Sequence, residues 1–254
     1  MYERENTVLA TAVESRGRAV PLVFRARKGK LEAEGDLERS RLTAIARRVF
    51  SLDLDLSSAE RAFSGVEALA AAFARRGGRI LRAPTLFEDA IKMLFTTNCT
   101  WAATRGMVTR LIEVAGADGR AFPTPEAVAR LSTPTLVRRV RCGYRAPALR
   151  AFARRIVTGE LDLAFWEDPA RPSEEIRAAI ASERGFGPYS AENLLRVIGR
   201  HDFYALDSWT RMKYRRLYPG RAAATDRSID RRYRKFGAHR GLALWLDMTR
   251  DWHE

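Results

Sequence analysis

Apolar residues recur at helical spacing through most of this chain, and two of the periodic stretches meet at a glycine turn. Ile176, Ala179 and Ile180 follow Ser173 and a pair of acidic residues, which predicts a helix starting near Ser173 and running to Gly185-Phe186-Gly187. Pro188 then stands where a first helical turn tolerates a missing N–H. Ala191, Leu194, Leu195 and Ile198 give the next helix one apolar face before Gly199 ends it. The two helices should pack as a hairpin.

From Pro84 onward the pattern stays helical, with Thr124-Pro125, Thr133-Pro134, Ala146-Pro147 and Arg171-Pro172 as starts or breaks. Residues 1–80 read differently. VLATAV, VPLVFRAR and KLEAEG look like short strands with one tight hairpin around Lys28-Gly29-Lys30, followed by helical RLTAIARRVF and GVEALAAAFARR. The expectation is a mostly α chain, with an N-terminal α+β region of short antiparallel strands over residues 1–80 and a helical domain over 81–254. GADGRAFPTP and GRAAATD read as loops within the domain.

Composition narrows the partners. The 254 residues carry 46% hydrophobic content, enough for a sizeable core, and 45 Lys and Arg against 31 acids give a formal charge of +14. The excess is mostly arginine, in runs such as LVRRVR and DRRYRKF, which suits phosphate binding. Cys99 and Cys142 are too few and too far apart for a cysteine-ligated cluster, and His201, His239 and His253 are too scattered to suggest a metal site. No cofactor or metal is expected. No apolar run is long enough to span a bilayer and MYERENTV lacks a signal peptide's hydrophobic segment, so a cytoplasmic location, nucleoid-associated if bacterial, is expected, and the chain is expected to act as a monomer.

Two features carry chemistry. At Gly185-Phe186-Gly187 the backbone can approach a ligand closely, and the N–H groups opening the next helix at Tyr189 and Ser190 present a positive dipole end that fits a phosphate. An ordinary corner would also use glycines. Asp207 lies twenty residues past Gly187, after Phe203-Tyr204-Ala205-Leu206 and before the helix-like SWTRMKYRRLY. It reads as a helix N-cap and as a carboxylate beside the hairpin, and the two are compatible.

Hairpin and aspartate at this distance resemble the helix-hairpin-helix superfamily of DNA glycosylases. LFEDAIKMLFTTNCTWAATRGMVTRLIE and RCGYRAPALRAFARRI are most similar to its 8-oxoguanine branch, so the resemblance runs from about residue 80 to the C-terminus. The N-terminal region looks like the small sheet of the 8-oxoguanine and 3-methyladenine branches. The resemblance implies double-stranded DNA containing a damaged base as partner and Asp207 as the catalytic carboxylate. Asn98 matches the asparagine that the 8-oxoguanine branch inserts opposite the vacated position, Tyr144 the wedge, and Arg145 the reader of the orphaned base. The base pocket would take Tyr189, Asn193, Trp209, Leu244, Trp245 and Met248.

The departures are informative too. Bifunctional members have a Schiff-base lysine where this chain has Tyr189, so a monofunctional enzyme is implied. Leu244 stands where the 8-oxoguanine branch reads its purine with a glutamine. Leu244 and Trp245 suggest an apolar wall suited to alkylated purines such as 3-methyladenine, with stacking and cation–π attraction for selection. Mismatched thymine or uracil, 8-oxoguanine, and a noncatalytic DNA-binding module are the alternatives.

Overall fold

The computed structural model describes residues 7–27, 29–75, 77–219 and 225–253. Three antiparallel strands, β1 (Thr7–Ser15), β2 (Arg18–Arg27) and β3 (Lys30–Glu34), lie in the order β1-β2-β3. Alternation along β2 sends Leu22 and Phe24 to one face, where they are buried against Ala46 of α1 (Arg39–Val49), with Leu42 and Ile45 packed beside them.

Two hairpins build this sheet where the sequence pattern predicts one. The hairpin at Gly29 is present, with Arg27 paired to Lys30, and Lys28 lies outside the described residues. The other turns at Arg16-Gly17, which adopt φ of 52° and 79°, the left-handed pair that a two-residue turn needs. Arginine in the first position is not among the residues that mark such a turn, so the pattern passed over it.

Helices make up the rest. Next to the sheet region come α2 (Ser57–Phe63) and α3 (Glu67–Ala74). The middle of the chain supplies α4 (Leu86–Thr96), α5 (Trp101–Ala115), α6 (Pro125–Arg130), the single turn α7 (Thr133–Thr135), α8 (Ala146–Val157) and the short α9 (Ala164–Glu167). The hairpin helices are α10 (Ser173–Ser182) and α11 (Pro188–Val197), followed by α12 (Ser208–Leu217), α13 (Asp226–Tyr233) and α14 (Arg240–Met248). All four X-Pro pairs stand at helix starts. Thr124 caps α6 by accepting the Ala127 N–H at 3.3 Å, and Pro172, not Ser173, occupies the cap position of α10. The loop expected over GRAAATD has residues 220–224 outside the described ones.

Two apolar cores organise these helices. One joins α4, α5, α8, α10 and α11 through Leu94, Phe95, Leu111, Leu149, Phe152 and Leu194. The other joins α12, α13 and α14 to α2 and α3 through Tyr214, Tyr233, Leu242, Phe63 and Leu69. Phe63 meets Phe236 edge-on with ring centroids 5.2 Å apart. The expected boundary near residue 80 is therefore crossed by packing. The buried face of the sheet is already covered by α1, so the apolar faces of α2 and α3 find their partners at the C-terminal end.

Polar contacts lock the pieces together. Arg48 on α1 donates to Ala83 O at 3.0 Å and to Asp89 at 2.8 Å, and also pairs with Glu167. The segment between α11 and α12 threads between the two cores, where Gly241 N–H donates to His201 O at 2.7 Å. A Cβ on Gly241 would collide with Phe203 O, so glycine is what permits the approach.

Candidate active site

The two glycines of the hairpin do different work. Gly185 adopts φ +91°, and a Cβ there would stand 2.8 Å from Leu94 Cδ1 and 2.9 Å from Ala148 Cβ. Both conformation and packing require glycine. Gly187 has φ −98°, and nothing lies within 4 Å of where its Cβ would be, so the folded chain makes no demand for glycine there. Between them, Phe186 is 2% exposed and packs on Phe152 at 5.0 Å. Its side chain anchors the turn from inside, which corrects its expected place in a DNA-contacting set. Glu183, also buried, pins the turn to α8 by accepting two bonds from Arg155 at 2.5 and 2.6 Å.

No side chain caps α11, and its first intrahelical bond runs from Ala191 N–H to Gly187 O at 3.0 Å. The N–H groups of Tyr189 and Ser190 precede that bond and stay available to an anion. The Ser190 hydroxyl is buried without a hydrogen-bond partner among the described residues, which leaves its backbone N–H as the group open to an anion.

Asp207 is half-buried at the N-cap of α12, where Oδ1 accepts the Thr210 N–H at 2.6 Å. Its cap role uses one oxygen. Just before it, Ala205 takes φ +50° and donates its N–H to Glu192 Oε2 at 2.9 Å, which fixes the approach of Asp207 to α11. Tyr189, Arg196 and Arg211 all lie within electrostatic reach of the Asp207 carboxylate. Burial raises the Tyr189 phenol above its ordinary range, against a hydrogen bond with Thr96 that lowers it.

The proposed base-pocket residues separate into three groups. Leu244 and Met248 have no exposed surface and sit inside the second core, so they back the wall and do not form it. Asn193 spends its amide within α11, Nδ2 donating to Tyr189 O at 2.9 Å and Oδ1 accepting from Arg196 Nη1 at 3.3 Å. Trp209 and Trp245 do form an aromatic cluster, with centroids 6.3 Å apart. Trp252 joins it at 5.6 Å from each and is 58% exposed.

Sequence reading passed over two residues here. Trp252 lies in the 3-10 turn that follows α14, seven positions after Trp245, so the chain must turn after Met248 to bring the two rings together. Arg196 carried no signal, since an arginine on an amphipathic helix reads as surface. It is 7% exposed, its Nη2 donates to Tyr204 O at 2.5 Å, and its Cζ lies 4.9 Å from the Trp245 ring centroid.

A second group of expected residues meets at the end of α4. Asn98 is exposed with φ +47°, a conformation asparagine tolerates better than most side chains. Tyr144 is 67% exposed and donates to Thr97 O at 3.4 Å, while Trp101 stands open beside the same loop. Arg145 is buried, donating through Nε to Thr97 Oγ1 at 3.1 Å and through Nη2 to Thr97 O. Here it clamps the loop, and its guanidinium is not free to read a base edge as the sequence suggested.

Lys92 pairs with Glu88 at 2.6 Å and Lys213 with Asp251. Among the described residues no three His, Cys, Asp or Glu side chains gather as a metal site, and no helix is long and apolar enough to cross a membrane.

No family model and no curated protein matches this chain. Solved structures match its fold. The 3-methyladenine DNA glycosylase from Archaeoglobus fulgidus superposes with TM-score 0.72 at 22% identity, covering 97% of this chain and 88% of its own. MBOgg1 in complex with a low-affinity DNA ligand gives TM-score 0.72 at 20% identity over 100% and 98% of the two chains. The Clostridium acetobutylicum 8-oxoguanine glycosylase/lyase, bound to double-stranded DNA with cytosine opposite the lesion, gives 0.71 at 18% over 99% and 97%. The chain thus has, over its whole length, the helix-hairpin-helix fold of these glycosylases.

Proposed function

We propose that the chain is a monofunctional DNA glycosylase of base excision repair, acting as a cytoplasmic monomer on double-stranded DNA that contains a damaged base. The observation that carries this reading is the half-buried Asp207 at the start of α12, facing α11 and flanked by the tryptophan cluster. The fold likeness supports it, since the matching proteins are 3-methyladenine and 8-oxoguanine glycosylases by name.

The free N–H groups of Tyr189 and Ser190 hold a backbone phosphate while Asn98 and Tyr144 enter the duplex from the α4 loop. As the N-glycosidic bond breaks, positive charge grows on the deoxyribose. Asp207 stabilises that charge and orients the attacking water through the oxygen not used in the cap. Tyr189 offers no amine, so the product is an intact strand with an abasic site.

The apolar wall favours alkylated purines such as 3-methyladenine. One observation favours a second reading: the face of Trp245 is already approached by the Arg196 guanidinium, which discourages a cationic base and suits a neutral one bearing a carbonyl.

Asp207→Asn tests the mechanism, because asparagine keeps the cap. Base release should fall by about two to three orders of magnitude, with thermal stability and duplex affinity close to wild type. Near-wild-type release in single-turnover assays on a lesion panel would remove Asp207 from the chemistry.

A further inference from the structure

Arg196 is a charged residue that the catalytic scheme does not use. It projects from α11 one helical turn past Asn193 and is among the most deeply buried charges of the chain. Its donors are only partly satisfied. Nη2 reaches Tyr204 O at 2.5 Å and Nη1 reaches Asn193 Oδ1 at 3.3 Å, while Nε is buried with no partner among the described residues.

Neither neighbouring carboxylate is spent on it. Glu192 binds Ala205 N–H at 2.9 Å and faces Arg177 at 3.8 Å, and Asp207 caps α12. Burial lowers the guanidinium to about 10, with Asp207, Tyr189 and Glu192 opposing the shift, so it remains charged at neutral pH. Leaving such a donor unmatched is costly, and the guanidinium lies beside the Trp245 ring and within electrostatic reach of the Asp207 carboxylate.

We infer that Arg196 determines specificity, donating to a carbonyl or ring-nitrogen acceptor of a neutral extruded base and excluding cationic alkylated bases from the Trp245 face. The inference rests on the glycosylase reading and, within it, chooses the neutral-base reading over alkylated purines. A neutral acceptor-bearing base completes the hydrogen bonding of Arg196. A base carrying positive charge at that face meets a buried like charge, with the aromatic ring that would have attracted it already taken.

The test compares two oligonucleotide duplexes, one with hypoxanthine and one with 7-methylguanine, using wild type, Arg196→Gln and Arg196→Lys. Wild type should prefer hypoxanthine in kcat/KM, and Arg196→Gln should narrow or reverse that preference by roughly tenfold to a hundredfold, the scale of one charge-assisted hydrogen bond. Arg196→Lys, which keeps the charge, should still reject 7-methylguanine. Selectivity is a ratio within each variant, so a partly unfolded preparation lowers both rates and leaves the ratio readable.

An active wild type that prefers 7-methylguanine, or a ratio unmoved by Arg196→Gln, overturns the role of Arg196 while leaving the glycosylase reading intact. A wild type inert on both duplexes and on a wider lesion panel overturns both.

Discussion

Arg145 holds Thr97 from below, its Nε 3.1 Å from Thr97 Oγ1, while the same guanidinium lies 4.4 Å from the Tyr144 ring centroid. One buried cation thus ties the loop presenting Asn98 to the residue expected to wedge the duplex. Arg145→Ala should destabilise the fold by about 2 kcal/mol in urea unfolding, the scale of lost buried charge-assisted hydrogen bonds. It should also weaken binding to a lesion duplex severalfold by releasing Asn98. Unchanged affinity alongside the stability loss would separate the loop from recognition.

The hairpin glycines give opposite expectations. Gly185→Ala must force a side chain into φ +91° against Leu94 and Ala148, and should cost about 2–3 kcal/mol of stability. Gly187→Ala meets nothing inside the protein, so its melting temperature should stay near wild type or rise slightly. If a backbone phosphate docks there, duplex affinity of Gly187→Ala falls, and a titration by fluorescence anisotropy reads it directly.

Tyr189 predicts the state of the product strand. DNA should remain unbroken at neutral pH until heated in alkali, and borohydride should trap no covalent complex, because Tyr189 offers no amine at the hairpin and Lys92 and Lys213 are held in ion pairs. Efficient trapping by the wild-type protein would identify an amine nucleophile and end the monofunctional assignment.

His201 sets a pH dependence. Burial, then the charges of Arg196, His239 and Arg82, lower its imidazole to about 4 from an ordinary 6.5. Between those values the unfolded chain takes up a proton that the native state refuses. The His201 contribution is complete above about pH 6.5 and is lost as pH falls towards 4, by roughly 3 kcal/mol in all. Asp89 works against it, since burial raises its carboxyl to about 6 and native-state protonation there adds stability as pH falls. Denaturant unfolding of wild type and His201→Gln across pH 4–7 isolates the histidine, because Asp89 is common to both, and parallel curves would exclude it.

Much of the fold was legible in local pattern. The glycine hairpin, the apolar faces of α10 and α11, the proline-marked helix starts and the Asp207 cap are short-range signals, each readable within a few residues. What escaped notice depended on distant partners. Nothing within α2 and α3 says that their apolar faces meet Phe236 and Leu242, and no local feature of Arg196 says that it is buried beneath Trp245. The site divided the same way. Asp207, Tyr189, Trp209 and Trp245 come together, whereas Phe186, Leu244 and Met248 are apolar side chains that the surrounding helices enclose completely. Arg145 is exposed or buried according to how the α4 loop closes over it, which sequence spacing does not encode.

The edge-on contact of Phe63 with Phe236 joins residues separated by most of the length of the chain. During synthesis α2 and α3 leave the ribosome early with an apolar face that the segment from α12 to α14 covers. Their core is closed last, by the most distant contacts in the molecule, which sets a slow final folding step and a period of exposed apolar surface. A chain released before α14 would keep its hairpin helices and still leave Phe63 and Leu69 open to aggregation, so production of this protein is more sensitive to loss of its final helices than their small size suggests.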